Sequence, residues 1–167
     1  MLLEEHRLLL KAVGITKKIQ EISDDKVYYN VLHDMIIFFR NFSELYHHPK
    51  EENVFYPVLK KHSNVLSSDF INEICDNHED IKSGMADIEN SYVAYDYQKL
   101  RSDTGKYLLL IEEHIKRENR MILSVAPSLI TETENKMIQT EFCLIDEKNG
   151  DKEDLIESLF RISMNIA

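Results

Sequence analysis

The sequence predicts an all-α fold, an antiparallel four-helix bundle followed by a C-terminal helical extension. Two observations carry this. The 167 residues hold only four glycines and three prolines, too few breakers for many short strands. Four long stretches repeat apolar residues at the three-to-four spacing of a buried helix face, and such helices pack most simply as a bundle. A chain of this length fits one domain with a real core. The bundle is expected over residues 1–128 and the extension, packed on or beside it, over 129–167.

The first helix is expected from about residue 2 to 22. Leu2, Leu3, Leu9, Leu10 and Val13 share one face with His6 among them, and Ile15, Ile19 and Ile22 drift to another side. "ISDDK" follows as a loop with Ser23 or Asp24 as N-cap. The second helix is expected over about 25–61, with Val31, Ile36, Ile37, Phe39, Phe42, Val54, Phe55 and Val58 around much of its circumference. Pro49 should kink or divide it, and "HSNVLSSD" reads as a loop.

A third helix over about 69–98 carries Ile71, Ile74, His78, Ile81, Met85, Ile88, Tyr92 and Tyr95 on one face, until "RSDTGK" breaks the pattern. The fourth, over about 103–125, aligns Tyr107, Ile111, His114, Glu118, Met121 and Ile122 and ends before Pro127. Tyr107 fits packing on that face. Beyond it, "TETENKMIQTEFCLI" reads as a short helix, "EKNGDKED" as a turn, and "LIESLFRISMNI" as a final amphipathic helix.

Charge and cysteine usage narrow the function. The net charge is −10, which disfavours nucleic acid and anionic membrane surfaces, because both recruit Lys and Arg. Cys75 and Cys143 are too far apart for a metal-type spacing and predict reduced thiols. The N-terminal "MLLEEHRLLLKAVG" has acids where a signal peptide needs basic residues, and no apolar run reaches the roughly 20 residues of a spanning helix. A cytoplasmic location is expected.

The histidines carry the chemistry. His6, His78 and His114 each lie on the apolar stripe of a different helix, and the remaining long helix carries the His47-His48 doublet. Two helices place a glutamate one turn after a histidine, in "HHPKEE" and in His114 with Glu118. Residues four apart share a helix face, and a glutamate on a buried stripe is costly unless it is paired or bound to metal. A single such pair is more often a surface contact, but four helices supplying histidine toward one core point to a shared cation. Periodicity does not choose between His47 and His48. The His47 face carries Ile36, Arg40, Ser43, Glu51, Val54 and Val58, and the His48 face carries Asn41, Leu45, Glu52, Phe55 and Leu59. His33 stands fourteen residues before His47, about 21 Å along a helix, too far for the same site. It and His62 read as surface residues.

Four imidazoles and two carboxylates suit iron, manganese or zinc over calcium or magnesium. They are too many for one tetrahedral zinc. Two octahedral ions bridged by both glutamates fit, each with two histidines, a shared solvent oxygen and one open position. Ferritin-like sites differ, with Glu-x-x-His and more carboxylates.

"EEHRLLL", "YHHPKEENVFYPVL", "DNHEDI" and "EEHIKRENRMIL", in that order over about residues 1–128, resemble the hemerythrin-like, or HHE cation-binding, family. "LIESLFRI" is similar to an extension found in a bacterial subgroup. The resemblance implies a four-helix bundle around two non-haem iron ions, bridged by carboxylates and an oxo or hydroxo group, with manganese or zinc as alternatives. It implies a centre that binds, senses or reacts with dioxygen or nitric oxide. The family's second-helix motif, laid on this chain, selects His47 and Glu51 and makes His48 and Glu52 their neighbours. The implied ligands are therefore His6, His47, Glu51, His78, His114 and Glu118. Invertebrate oxygen carriers have a further histidine where this chain has Ile74, and an aspartate at longer spacing where it has Glu118. Pure oxygen storage is thus not the expectation. The alternatives are a di-iron oxidase or peroxide-consuming enzyme at the same site, and an interaction module braced by a structural metal. No His-Glu-x-x-His, phosphate loop or nucleophile elbow favours a separate catalytic apparatus.

Overall fold

A computed structural model describes residues 1–62, 68–150 and 152–165, with side chains 68–71, 73–76, 123 and 165 also left out of the description. The described residues form helices and turns, with no strand. Helix α1 spans Leu2–Gln20. Helix α2 runs continuously over residues 25–60. Helices α3 and α4 span Ser68–Val93 and Tyr97–Ser124. A single turn, α5, covers Ala126–Leu129, and α6 and α7 span Glu132–Asn149 and Lys152–Asn165. Helix α1 packs on α2 and α4, α2 on α3, and α3 on α4. Helix α6 crosses the 42–55 segment of α2, and α7 lies on α1 and α2. None of the described helices is long and apolar enough to cross a membrane.

Local signals account for most boundaries. Asp24 caps α2 by accepting from the Lys26 and Val27 amides, both at 2.9 Å. Thr131 and Glu134 form a reciprocal capping box on α6. Gly150, at φ +92°, ends α6 in the left-handed region that a residue without Cβ adopts freely. The expected "EKNGDKED" turn thus falls at Gly150, with residue 151 outside the described set. Of the expected "HSNVLSSD" loop, residues 63–67 lie outside the description and Ser68 already begins α3.

Two expectations need correction. "RSDTGK" does not break a helix, because residues 101–106 lie inside α4 and Gly105 is tolerated there. The break comes earlier, at residues 94–96, where Tyr95 takes φ +55° and Asp96 caps α4 through the Lys99 amide. Aromatic packing holds that turn: Tyr29 stacks on Tyr92 and Tyr95 with centroids 4.0 and 5.3 Å away. Of the two effects expected of Pro49, a kink or a division of α2, the division does not occur. The helix continues through it, widening into π-helical turns at Phe42–His47 and Glu51–Phe55. The His48 amide, for example, reaches back five residues to Ser43. Pro49 has no N–H for the Leu45 carbonyl four residues earlier. The Asn149 carboxamide, at the end of α6, donates to that carbonyl at 2.5 Å, and the Tyr46 hydroxyl donates to the Asn149 carbonyl at 2.9 Å.

The interior has two apolar clusters with a polar layer between them. One is built on residues such as Leu9, Phe39, Phe42, Ile81, Ile111 and Ile115, the other on Leu2, Val54, Tyr56, Val58 and Met121. Each fully buried aliphatic or aromatic side chain stabilises the fold by about 1.5–3 kcal/mol. Along α1, His6 falls between Leu2 and Leu9. Along α2, His47 and Glu51 fall between Phe42 and Val54, and along α4, Glu118 falls between Ile115 and Met121. The chain therefore places its histidines and glutamates where two apolar layers seal them from water. Tyr107 is buried against Phe39, as packing requires.

Candidate metal centre

All six residues singled out in the sequence are buried and converge. His6, His47, Glu51, His78, His114 and Glu118 are 0–3% exposed. They form two four-donor sets, His6/His47/Glu51/Glu118 and Glu51/His78/His114/Glu118, whose donor atoms lie within 4.8 Å of one another. Two donors on opposite sides of one ion, with bonds of about 2.1 Å, stand about 4.2 Å apart, so each set is near the size of a coordination shell. Glu51 belongs to both. Its Oε1 faces His6 Nε2 at 3.4 Å and His47 Nε2 at 3.5 Å, and its Oε2 faces His78 Nε2 at 3.4 Å. Glu118 Oε2 lies 3.2 Å from His6 Nε2 and 2.9 Å from His114 Nε2.

The hydrogen bonding divides the imidazoles into an inner and an outer side. The outer Nδ1 atoms are held: His6 by Asn119 Oδ1 at 2.7 Å, His47 by Glu5 Oε2 at 3.1 Å, and His78 by Glu52 Oε1 at 2.8 Å. A partner on Nδ1 fixes the tautomer that leaves the Nε2 lone pair free for a metal. On the inner side, His6 Nε2, His47 Nε2, both Glu51 oxygens and Glu118 Oε2 are buried without a hydrogen-bond partner. Buried polar atoms are seldom left unpaired. A cluster of them, every one a metal-type donor, fits a cation.

The electrostatics agree. Burial, with the Glu51 charge beside it, lifts the Glu118 carboxyl to about 8. Burial works against protonated His6, but the adjacent Glu118 and Glu51 carboxylates overcome it and raise His6 to about 10. Burial raises and the surrounding histidines lower Glu51, which ends well below the usual carboxylate range. His114 is pushed down to about 3 by burial, and His48 falls well below its usual value for the same reason, aided by neighbouring imidazoles. Without a cation, protons held by Glu118 and His6 offset the buried negative charge, and metal ions would displace those protons.

The sequence reading missed several of these groups. Glu5, Asn119 and Glu52 each adjoin a donor in sequence, in "EEH", "EEHIKREN" and "KEE", and Tyr56 of "FYPVL" donates to Glu118. An acidic or amide neighbour beside a candidate ligand was the available signal. His48 was placed as a mere neighbour of His47. It is 3% exposed and forms a third donor set with His78 and His114. Its companion Glu52 stays on the outer side. His33 is exposed, and His62 meets Glu134 at 3.2 Å, away from the cluster. Cys143 is free and exposed, and the Cys75 side chain lies outside the description.

Against protein-family models, residues 1–126 match the hemerythrin HHE cation binding domain. The chain belongs to this family. No curated protein and no solved structure matches it. This HHE domain thus presents a buried His/Glu cluster that can hold metal.

An ion network ties the cluster of this HHE domain to the C-terminal helices. Buried Lys50 contacts Glu5 Oε1 and Asp146 Oδ1, both at 2.5 Å, and Lys152 of α7 also meets Glu5. Burial and the Glu5–His47 contact compete on the Glu5 carboxyl, which with the two lysines is held at about 2. Removing one partner of a buried pair strands the other charge. Lys50→Met is expected to cost on the order of 3 kcal/mol, measured by urea unfolding. A change under about 0.5 kcal/mol, the range of an ordinary surface substitution, would refute this role.

Proposed function

We propose that this HHE domain holds two iron ions and binds, senses or reacts with dioxygen or nitric oxide. One ion would sit among His6, His47, Glu51 and Glu118, the other among His78, His114 and the same two glutamates, in an antiparallel bundle of α1–α4. The observation that carries the reading is Glu51, which turns one oxygen to each set of imidazoles. Four imidazoles with only two carboxylates favour iron, manganese or zinc over oxygen-loving cations. When bound, a ferrous pair supplies redox electrons and an open position for a diatomic molecule.

The chain's own residues set the terms. The donors lie in the interior, and the larger surface grooves are lined by other residues. One groove of about 510 Å³, between α1 and α4, has Asn119 in its wall, the residue that holds His6. A site this closed favours a small gas over an organic substrate. Tyr56, donating to Glu118, is the hydroxyl placed to hold a proton beside the cluster. The net charge of −10 supports a reading without nucleic-acid or anionic-membrane partners.

The test is an absorption spectrum of iron-loaded protein, reduced without oxygen and then exposed to each gas. New visible bands are expected with at least one of them. A spectrum indifferent to both would end the gas-binding reading.

A further inference from the structure

We propose that His48 is a seventh protein donor, a third imidazole for the ion that His78 and His114 hold. The inference rests on the two-ion reading above and adds a ligand that the family motif does not select.

Two observations support it, the spacing of the donors and an orphaned nitrogen. Donor atoms of His48, His78 and His114 all lie within 4.8 Å of one another, the same closeness found in the other two sets. The His48 ring stacks on His78, with centroids 4.1 Å apart and planes 18° from parallel, and meets His114 edge-on at 6.2 Å; to share an ion with His78 it turns about its own χ2 axis until the two in-plane lone pairs converge. Its Nδ1 is buried and has no hydrogen-bond partner, which is costly for an imidazole sealed in a core.

Backbone winding explains how adjacent residues can both point inward. On an α-helix with 3.6 residues per turn, successive side chains diverge by about 100°. Here His47 closes one π-helical segment, Phe42–His47, and His48 follows it just before a second, Glu51–Phe55. Such turns are rare and recur at functional sites. They widen the inward face until His47, His48 and Glu51 are all buried on it. The ion that takes His48 then has three imidazoles and the other has two.

His48→Phe tests this directly, since it keeps a flat ring against His78 and removes the nitrogen donors. Iron per chain and affinity are measured by chelator competition, with circular dichroism as the check on folding. The wild type is expected to bind two ions, and His48→Phe to keep one while holding the other at least tenfold more weakly. His48→Gly should lose the same ion and recover it with millimolar imidazole, an effect that restored packing alone would not give. His48→Phe binding both ions with wild-type affinity overturns the His48 assignment and leaves the two-ion reading intact. Loss of both ions, with no imidazole rescue in His48→Gly, overturns it in favour of a packing role. A wild-type chain that binds no stoichiometric metal overturns both proposals together.

Discussion

Glu118→Ala is expected to release both metal ions, whereas His6→Ala releases one. Each inner-facing histidine of the two four-donor sets belongs to one side of the centre, but Glu51 and Glu118 belong to both. Removing His6 leaves His47 and two carboxylates on its side and the other set whole. Removing Glu118 takes a carboxylate from both sets at once. It also strands the Tyr56 hydroxyl, which donates to it, and leaves Glu51 as the sole anion facing two cations. Glu118→Gln should behave like Glu118→Ala, because the amide keeps the volume and loses the charge. Metal per chain after exhaustive dialysis reads the result. Two ions retained by Glu118→Ala would show that the glutamate is not shared.

A second large effect is expected on removing the metal. The metal-free protein should lose stability as pH rises from 6.5 to 10, and the loaded protein should not. In the folded chain His6 holds its proton to about 10 and Glu118 to about 8, against ordinary values of 6.5 and 4.5. Both bind more protons folded than unfolded, so their stability is present at low pH and is lost as pH rises through those windows. His114, depressed to about 3, has the opposite sign, but its contribution is complete by pH 6.5. Glu5, at about 2, is complete by 4.5. Above 6.5 only the falling contributions remain among these groups. Metal ligands are already deprotonated, so the bound ions remove the dependence. The metal-free protein should lose on the order of a few kcal/mol between pH 6.5 and pH 9. For a chain of this size that is roughly 5–10 °C in melting temperature. A chelated protein that melts at the same temperature at pH 6.5 and pH 9 would contradict the electrostatic account.

The sequence alone determined that the chain is helical, where its long helices lie, and that histidines sit on their apolar stripes. Those are local properties: 3.6-residue periodicity and a capping signal at Ser23 or Asp24. It also brought His6, His47, Glu51, His78, His114 and Glu118 onto one list, and the fold carries all six to one buried point. Their partners were less legible, since Glu5, Glu52 and Asn119 look like ordinary polar surface residues until the facing helix is known. The turn at Tyr95 was hidden for a similar reason. It has no glycine or proline, and is held by Tyr29 from a helix more than sixty residues away.

The tertiary structure alone decided how α2 winds past Pro49. A proline there removes an amide, and sequence rules read that as a kink. In the fold the helix persists through π-helical turns, the Asn149 carboxamide donates to the Leu45 carbonyl, and both histidines of the doublet are buried. Periodicity could not choose between His47 and His48, because a 3.6-residue period gives side-chain directions only while the winding is regular, and the π-helical turns at Phe42–His47 and Glu51–Phe55 break that regularity.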